Sequence, residues 1–455
     1  MLPVVALVGR PNVGKSSLFN ALLGRGEALV SERPGATRDR HHAVLRREGT
    51  GLILVDTGGL GGGEDPLAPA IARQVERAIA EADLVLLVLD AREGLLPQDR
   101  EILDRLRALG RPAWAIANKA ETLSAEAELG EFAPLGLARL HAVSATHRRG
   151  IAELEEELFL HFGARAALPA EHSERPRIAI VGRPNVGKST LANRLLGEER
   201  LVVSELPGTT RDAIEVPFER DGRGYLLIDT AGIRRRARVV EAIERASVVR
   251  SLQAIESCDV AIAVLDAQAG IAEQDLAVIG QVLEAGRALV IAVNKWDGLD
   301  ADRRERQVAE IDRRLRFAGF ARRVFISARH GSGLGELWAA VDRAYDSAVR
   351  DLPTAELNRI LAAAVAAHQP PLVGGRVPRL RYAHQGGRRP PRVVIHGSRL
   401  GHLAAAYRRY LENVFRERLG LEGTPLRLQF LEGRDPGRRP RRAGGWRAAA
   451  RASDA

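Results

Sequence analysis

One octapeptide constrains this chain more than any other feature, because it occurs twice without a change. Gly9-Arg10-Pro11-Asn12-Val13-Gly14-Lys15-Ser16 returns as Gly182-Arg183-Pro184-Asn185-Val186-Gly187-Lys188-Ser189. Each copy fits G-x-x-x-x-G-K-[ST], the phosphate-binding P-loop. Each follows a short apolar run, Val4 to Val8 or Ile178 to Val181, and precedes a helix-like run, Ser17 to Leu23 or Thr190 to Leu196. Strand, glycine loop and helix form the context the motif requires. The glycines let backbone amides curl around an anion, and the helix N-terminus adds its dipole. Lys15 and Lys188 are expected to reach the β/γ-phosphates, and Ser16 and Ser189 to hold Mg²⁺. A single match could arise by chance in a glycine-rich chain. Two identical matches in the same context could not.

Other features recur near the 173-residue offset of the two loops. Pro34-Gly35-Ala36-Thr37-Arg38-Asp39 is echoed by Pro207-Gly208-Thr209-Thr210-Arg211-Asp212, and Asp56-Thr57-Gly58-Gly59 by Asp229-Thr230-Ala231-Gly232. Asn118-Lys119-Ala120-Glu121 returns 176 residues later as Asn294-Lys295-Trp296-Asp297, and Ser144-Ala145 returns 183 residues later as Ser327-Ala328. The repeat is a whole domain, too long for a solenoid unit. Apolar runs at 52–55, 84–89 and 113–117 have partners at 225–228, 260–265 and 288–293. Such unbroken runs predict an α/β fold with a mostly parallel sheet and helices on both faces. Ligands then bind beyond the carboxyl ends of the strands, where every repeated motif falls.

The 455 residues suggest about three domains at ~100–200 residues each. Residues 1–162 read as the first nucleotide-binding domain and 176–350 as the second. Gly163 to Arg175 reads as a linker. Residues 351–432 follow the order α-β-β-α-β, a small α+β domain, and 433–455 read as a basic, disordered tail. A chain that is 45% hydrophobic and 28% charged is expected to be globular. No membrane-length apolar run and no signal peptide are read. The single cysteine, Cys258, excludes internal disulfides; it reads as a small core residue of a cytoplasmic protein. The net charge of +10 favours a polyanionic partner, nucleic acid above all.

The kind of basic residue says more. Only four lysines stand against 64 arginines: Lys15, Lys119, Lys188 and Lys295. Lysine thus survives only in the two P-loops and the two N-K-x-[DE] motifs. A compact ammonium and a planar guanidinium do not replace one another in a phosphate cradle.

N-K-x-D after a buried strand is the guanine-reading loop of GTPases. Its carboxylate accepts from the guanine N1–H and N2–H₂ together, which adenine cannot reproduce. Asp297 fits fully; Glu121 keeps the carboxylate one methylene further out. Lys119 and Lys295 are expected to pack over the base, and Ser144-Ala145 and Ser327-Ala328 to lie at the guanine O6. D-x-x-G supplies a carboxylate near Mg²⁺, Asp56 or Asp229, and an amide for the γ-phosphate, Gly59 or Gly232. The threonine that closes the metal shell is Thr37 or Thr210, because Ala36 replaces Thr209 in the first copy. Where Ras-like enzymes carry a water-orienting glutamine, this chain has Leu60 and Ile233.

The whole arrangement resembles the Der (EngA) family of bacterial tandem GTPases, to about Leu431. Beyond the generic motifs, the likeness rests on Asp229-Thr230-Ala231-Gly232-Ile233-Arg234-Arg235-Arg236. It rests also on Pro390-Pro391, on Tyr407-Arg408-Arg409-Tyr410-Leu411-Glu412-Asn413 and on Gly423-Thr424-Pro425-Leu426-Arg427. The resemblance implies two P-loop GTPase domains and a C-terminal KH-like domain. It also implies GTP hydrolysis to GDP and phosphate, and a role in assembly of the large ribosomal subunit through its rRNA. A monomer without membrane contact is expected. GTPases that combine a hydrophobic residue after D-x-x-G with a P-loop asparagine are often potassium-stimulated; Asn12 and Asn185 would hold that K⁺. The G-x-x-G clamp of KH domains is not evident, since Gly374-Gly375 lacks its spacing.

Some features keep two readings. The arginine-rich tail is either solvated or in contact with rRNA phosphates. Arg234-Arg235-Arg236 is a solvated run or an RNA or interdomain contact. Tyr407 and Tyr410, at helical spacing, read as core rather than as base-stacking residues. His41-His42 lies in a segment expected to be mobile, without a third ligand, so metal binding is not expected. Two alternatives stand beside a GTP-driven switch: a binding module whose first domain senses nucleotide with little turnover, and a membrane or trafficking GTPase. The basic C-terminal domain and the lack of an anchor disfavour the latter.

Overall fold

The computed structural model describes residues 1–24, 42–47, 49–57, 78–121, 130–167, 175–198, 215–228, 248–372 and 375–432. Its first compact unit holds Met1–Asp346 with Glu422–Thr424; the second holds Ser347–Leu421 and the chain from Pro425.

In the first unit, the first repeat runs β1 (Val4–Val8), α1 (Lys15–Leu23), β2 (His42–Arg47), β3 (Thr50–Asp56), β4 (Leu84–Asp90), α2 (Pro97–Ala108), β5 (Ala113–Asn118), β6 (Leu140–Ala142) and α3 (Ile151–Phe162). Its sheet has the order β2-β3-β1-β4-β5-β6. Only β2 runs antiparallel, paired to β3. The second repeat runs β7 (Arg177–Val181), α4 (Lys188–Glu198), β8 (Val216–Arg220), β9 (Arg223–Ile228), α5 (Val248–Ser257), β10 (Val260–Asp266), α6 (Glu273–Glu284), β11 (Ala288–Asn294), α7 (Ala301–Arg314), β12 (Arg322–Phe325) and α8 (Leu334–Val349). Its sheet, β12-β11-β10-β7-β9-β8, has the same topology.

The apolar runs became central strands for a simple reason. All seven residues of β4, Leu-Val-Leu-Leu-Val-Leu-Asp, are buried, as are all seven of β10. A strand covered on both faces has no place for alternating polar residues. The edge strands β2, β6, β8 and β12 escape the sequence reading because one side of each faces solvent and polar residues interrupt the run. His42 opens β2 rather than lying in the expected mobile segment; His41 lies outside the described residues. In each sheet the chain crosses over at β1 or β7, which sits between strands reached in opposite directions. That switch point is where a doubly wound sheet leaves a crevice, and both P-loops emerge there. After α3, a 3₁₀ turn covers Gly163–Ala166 and buries Ala166 completely.

Within this unit the two repeats touch. Val249 and Leu252 of α5 join a core cluster with Leu2, Val4, Ile53 and Val55 of the first sheet. Gln253 donates to the Leu2 carbonyl at 3.1 Å. Arg46 of β2 pairs with Glu256, whose side chain is buried.

The second unit contains α9 (Thr354–Ala367), β13 (Arg379–Gly387), β14 (Arg392–Ser398), α10 (Ala405–Leu419) and β15 (Arg427–Glu432), the expected α-β-β-α-β order. β14 lies between antiparallel β13 and parallel β15. Helix α10 buries Tyr407, Leu411, Phe415 and Leu419, one per turn. That i, i+4 stripe faces the core, and each such side chain contributes roughly 2 kcal/mol by leaving water. The helix stops at Gly420, whose φ of 61° suits a residue without Cβ. The Tyr407 hydroxyl donates to the His368 carbonyl at 2.8 Å, and that of Tyr410 to the Ala364 carbonyl at 3.0 Å. Both rings serve this core, as their spacing predicted. The arginine-rich tail and Arg234 to Arg236 lie outside the described residues.

Candidate active site

Each P-loop is a left-handed turn wedged between a strand and a helix. Asn12 and Asn185 have φ of 66° and 63°, and Gly14 and Gly187 have φ of 91° and 99°. Side chains rarely adopt this conformation, and such backbone strain concentrates at functional sites. A Cβ on Gly14 would meet Asn118 Nδ2 at 2.3 Å; one on Gly187 would meet Asn294 Nδ2 at the same distance. The loop glycines therefore serve close packing as well as φ.

That packing partner is the asparagine of the base-reading motif. Asn118 Nδ2 donates to the Val13 carbonyl at 2.9 Å, and its Oδ1 accepts from the Ala145 amide at 3.1 Å. Asn294 does the same with Val186 at 2.8 Å and Ala328 at 2.9 Å. One side chain thus ties the P-loop, N-K-x-[DE] and the Ser-Ala loop into a single frame. Ser144 and Ser327 are buried in that frame, each accepting from the amide three residues on, of His147 or His330, at 3.3 Å.

The four lysines occupy the frame. Lys15 Nζ donates to the carbonyls of Gly9 and Arg10 at 2.9 and 2.6 Å; Lys188 does so to Gly182 and Arg183 at 2.8 and 2.7 Å. Burial lowers the Lys15 pKa, against the raising effect of Asp56. Lys119 bridges from the Asn12 carbonyl, at 2.8 Å, to Asp90, at 2.5 Å; Lys295 bridges from Asn185 to Asp266 at 3.0 and 2.5 Å. Burial alone would raise the pKa of both aspartates, but the lysines and backbone amides hold them below the ordinary value.

Asp90 and Asp266 were not singled out from the sequence. Neither belongs to a named motif. Both end a buried strand at the 176-residue offset shared by N-K-x-[DE], and that shared offset is the signal that could have found them. Asp99 and Asp275 escaped in the same way.

The fit to Mg²⁺ can be tested in the first repeat. Ser16 Oγ donates to Asp56 Oδ2 at 2.6 Å, so hydroxyl and carboxylate already share one spot beside the loop. Hard oxygen donors of this kind suit Mg²⁺. Thr57 is fixed by its hydroxyl to the Leu7 carbonyl at 2.6 Å. Thr37, Gly58, Gly59, Leu60, Thr210, Asp229, Thr230, Ala231, Gly232 and Ile233 lie outside the described residues.

The base-reading carboxylates differ. Asp297 is exposed; a hydrogen bond from Ser327 lowers its pKa, and His330 stands 3.4 Å away. Glu121 is largely covered and pairs with Arg92. The Arg92 counterpart, at the same offset, is Gln268. Trp296 packs against Phe325 with ring centroids 4.2 Å apart and the planes tilted by 35°, whereas Ala120 stands in its place in the first repeat. Cys258 lies fully buried, its thiol pushed up to about 12 by burial, a core residue as its sequence context suggests.

Two phosphate cradles, each framed by a guanine-reading loop on its own doubly wound sheet, define a tandem P-loop GTPase. The family described as 50S ribosome-binding GTPase matches residues 4–119 and 177–295. The KH-domain-like C-terminal domain of EngA bacterial GTPase enzymes matches residues 352–430. GTPase Der of Thioalkalivibrio sulfidiphilus is 52% identical over 438 residues, spanning 96% of this chain and 94% of its own. GTPase Der of Citrobacter koseri is 48% identical over 463 residues, with the same coverage. A crystal structure of Era with MgGDPNP and nucleotides 1506–1542 of 16S ribosomal RNA is similar over 57% of this chain and 93% of its own. Its 21% identity and TM-score of 0.30 are too distant to inform the site. The chain belongs to the GTPase Der family. It binds guanine nucleotide and hydrolyses GTP. Among the described residues no helix is long and apolar enough to cross a membrane.

Proposed function

We propose that this GTPase is a nucleotide-controlled switch in assembly of the large ribosomal subunit, acting in the cytoplasm as a monomer that contacts rRNA. The observation that carries this reading is the joining of two framed nucleotide cradles to a C-terminal unit matched by the KH-like domain of EngA enzymes. A family description that names 50S-ribosome binding and a net charge of +10 support a ribosomal polyanion as partner. The domains are read as 1–162, 176–350 and 351–432.

At each site Lys15 or Lys188 binds the β/γ-phosphates. Ser16, Thr37 and Asp56, or Ser189, Thr210 and Asp229, would hold Mg²⁺, which neutralises phosphate charge when bound. The amides of Gly59 and Gly232 orient the γ-phosphate. Glu121 and Asp297 read guanine. Leu60 and Ile233 cannot orient water; Asn12 or Asn185 would hold a K⁺ that would supply positive charge there. Both asparagine side chains are exposed at the loop, which supports that placement. Equal turnover in K⁺ and Na⁺ buffers would refute the K⁺ role.

Cosedimentation with ribosomal subunits tests the main proposal. The large subunit should retain the protein with a GTP analogue and release more of it with GDP. Equal recovery with neither subunit would sink it. A second reading gives the first domain a sensing role with little turnover. The engagement of Glu121 by an arginine, Arg92, where the second repeat has Gln268, favours it. Single-turnover hydrolysis by Lys15→Ala and Lys188→Ala chains decides: the sensing reading requires nearly all turnover to vanish with Lys188→Ala alone.

A further inference from the structure

The second P-loop residue does something its motif does not require. In the first repeat the Arg10 side chain leaves the loop and reaches helix α2. Its Nε donates to Asp99 Oδ1 at 2.9 Å, and a terminal nitrogen donates to Glu93 Oε2 at 2.9 Å. Asp99 is completely buried, and its other oxygen accepts from the Leu96 amide at 3.0 Å, at the start of α2. The second repeat keeps the ion pair in a looser form. Arg183 Nε lies 3.2 Å from Asp275 Oδ2 without the alignment of a hydrogen bond, and the same oxygen accepts from the Ala272 amide at 2.9 Å, at the start of α6. Asp275 is 1% exposed. Arg183 also donates to the Gly270 carbonyl at 3.0 Å. The residue matching Glu93 is Ala269, so the second copy has one carboxylate where the first has two.

We propose that Asp99 and Asp275 are positioning residues for GTP hydrolysis, each fixing the entry of its P-loop by holding Arg10 or Arg183. The carbonyl of the same arginine is one of the two that receive the P-loop lysine. The arginine therefore carries the loop between two anchors: its side chain to the α2 or α6 start, its carbonyl to the lysine. Releasing the side chain lets that carbonyl drift, and with it the lysine that must reach phosphate. A planar fork of donors that reaches separate acceptors at once is what arginine provides and the compact ammonium of lysine does not. A helix cap alone would not need the pair, because an asparagine accepts from the same amide. Geometry held this closely matters to rate, since small misplacements at a reacting centre are costly.

The inference rests on the reading of Lys15 and Lys188 as phosphate-binding residues. Its test uses the full chain with one site silenced: Asp99→Asn with Lys188→Ala, and Asp275→Asn with Lys15→Ala. Each asparagine should raise KM for GTP about tenfold while the unfolding midpoint holds. Arg10→Gln with Asp99→Asn should cost no more than either alone, and Asp99→Glu should restore part of the loss. The first domain, with its second carboxylate, should lose less than the second. KM and kcat within twofold of the parent for both asparagine variants would overturn the proposal, as would losses that simply add. If an asparagine variant lowers the unfolding midpoint, Arg10→Lys and Arg183→Lys take over the readout: a raised KM supports the proposal and an unchanged one overturns it. Silent asparagine variants beside an inactive Lys15→Ala, Lys188→Ala chain would refute this inference alone. Activity surviving in that double-lysine chain would refute the site reading itself.

Discussion

Asn118 and Val13 are 105 residues apart in the sequence and joined by one buried hydrogen bond of 2.9 Å. The same side chain accepts from Ala145, so its removal strands a carbonyl and an amide together. A buried polar group left without a partner costs about 1–3 kcal/mol. Asn118→Ala should lower unfolding free energy by about that amount, measured by urea denaturation. It should also weaken GDP binding at the first site, measured by calorimetry in a Lys188→Ala chain. Asn118→Asp keeps the acceptor but sets a buried carboxylate oxygen against the Val13 carbonyl, so its loss should be at least as large as that of Asn118→Ala.

Gly14 tests the same contact from the other side. Its φ of 91° and the 2.3 Å approach of a built Cβ to Asn118 Nδ2 allow no side chain without movement. Gly14→Ala should cost about 1–3 kcal/mol of stability through backbone strain. Its effect on nucleotide affinity should be larger, because relief of the clash displaces the base-reading asparagine. Fluorescent GDP titration checks it. Gly222→Ala, at a φ of 79° with open space around the Cβ, serves as the control: strain without displacement.

The motif residues were legible because their order and repetition could be checked within one chain. Asn118 and Asn294 could be named as base-loop residues from N-K-x-[DE]. Their role as the bolt between three loops could not be read, since it depends on where Val13 and Ala145 fall in space. Central strands were readable from burial on both faces, whereas β2 and β8 were not, because Arg46, Arg47 and Glu219 break their apolar pattern. Asp90 and Asp99 look like ordinary surface carboxylates in sequence. Only the folded chain puts Lys119 and Arg10 beside them.

Glu256 links the two repeats. Its carboxylate meets Arg46 of β2 and lies 3.7 Å from Arg287, with only 3% of the side chain exposed. Helix α5 also inserts Val249 and Leu252 against the first sheet. Glu256→Ala leaves the nearly buried Arg287 without that carboxylate, so a loss of about 3–5 kcal/mol is expected. Arg46→Ala should cost less, because Arg287 still balances the charge. Hydrogen exchange across 248–257 should accelerate in Arg46→Ala, and unchanged exchange there would deny that the first repeat stabilises this helix.

Two buried aspartates of the sites predict opposite pH behaviour. Asp90 is held below its ordinary 3.8 because Lys119 and backbone amides outweigh burial. A depressed folded pKa gives stability that is present above 3.8 and lost as pH falls through the lower folded value. Asp275 is raised above 3.8, chiefly by burial, against the amide of Ala272 and the charge of Arg183. A raised folded pKa gives stability that is full below 3.8 and lost as pH rises through the higher folded value. Asp90→Asn should therefore flatten the acid limb of the stability profile and lower stability at neutral pH. Asp275→Asn should leave the acid limb as it is and hold or raise stability at neutral pH. Urea midpoints taken from pH 3 to pH 7, roughly the span over which these carboxyls titrate, check both signs. Because Asp275→Asn should also weaken GTP binding, that one substitution separates the cost of burying the carboxylate from the use the site makes of it.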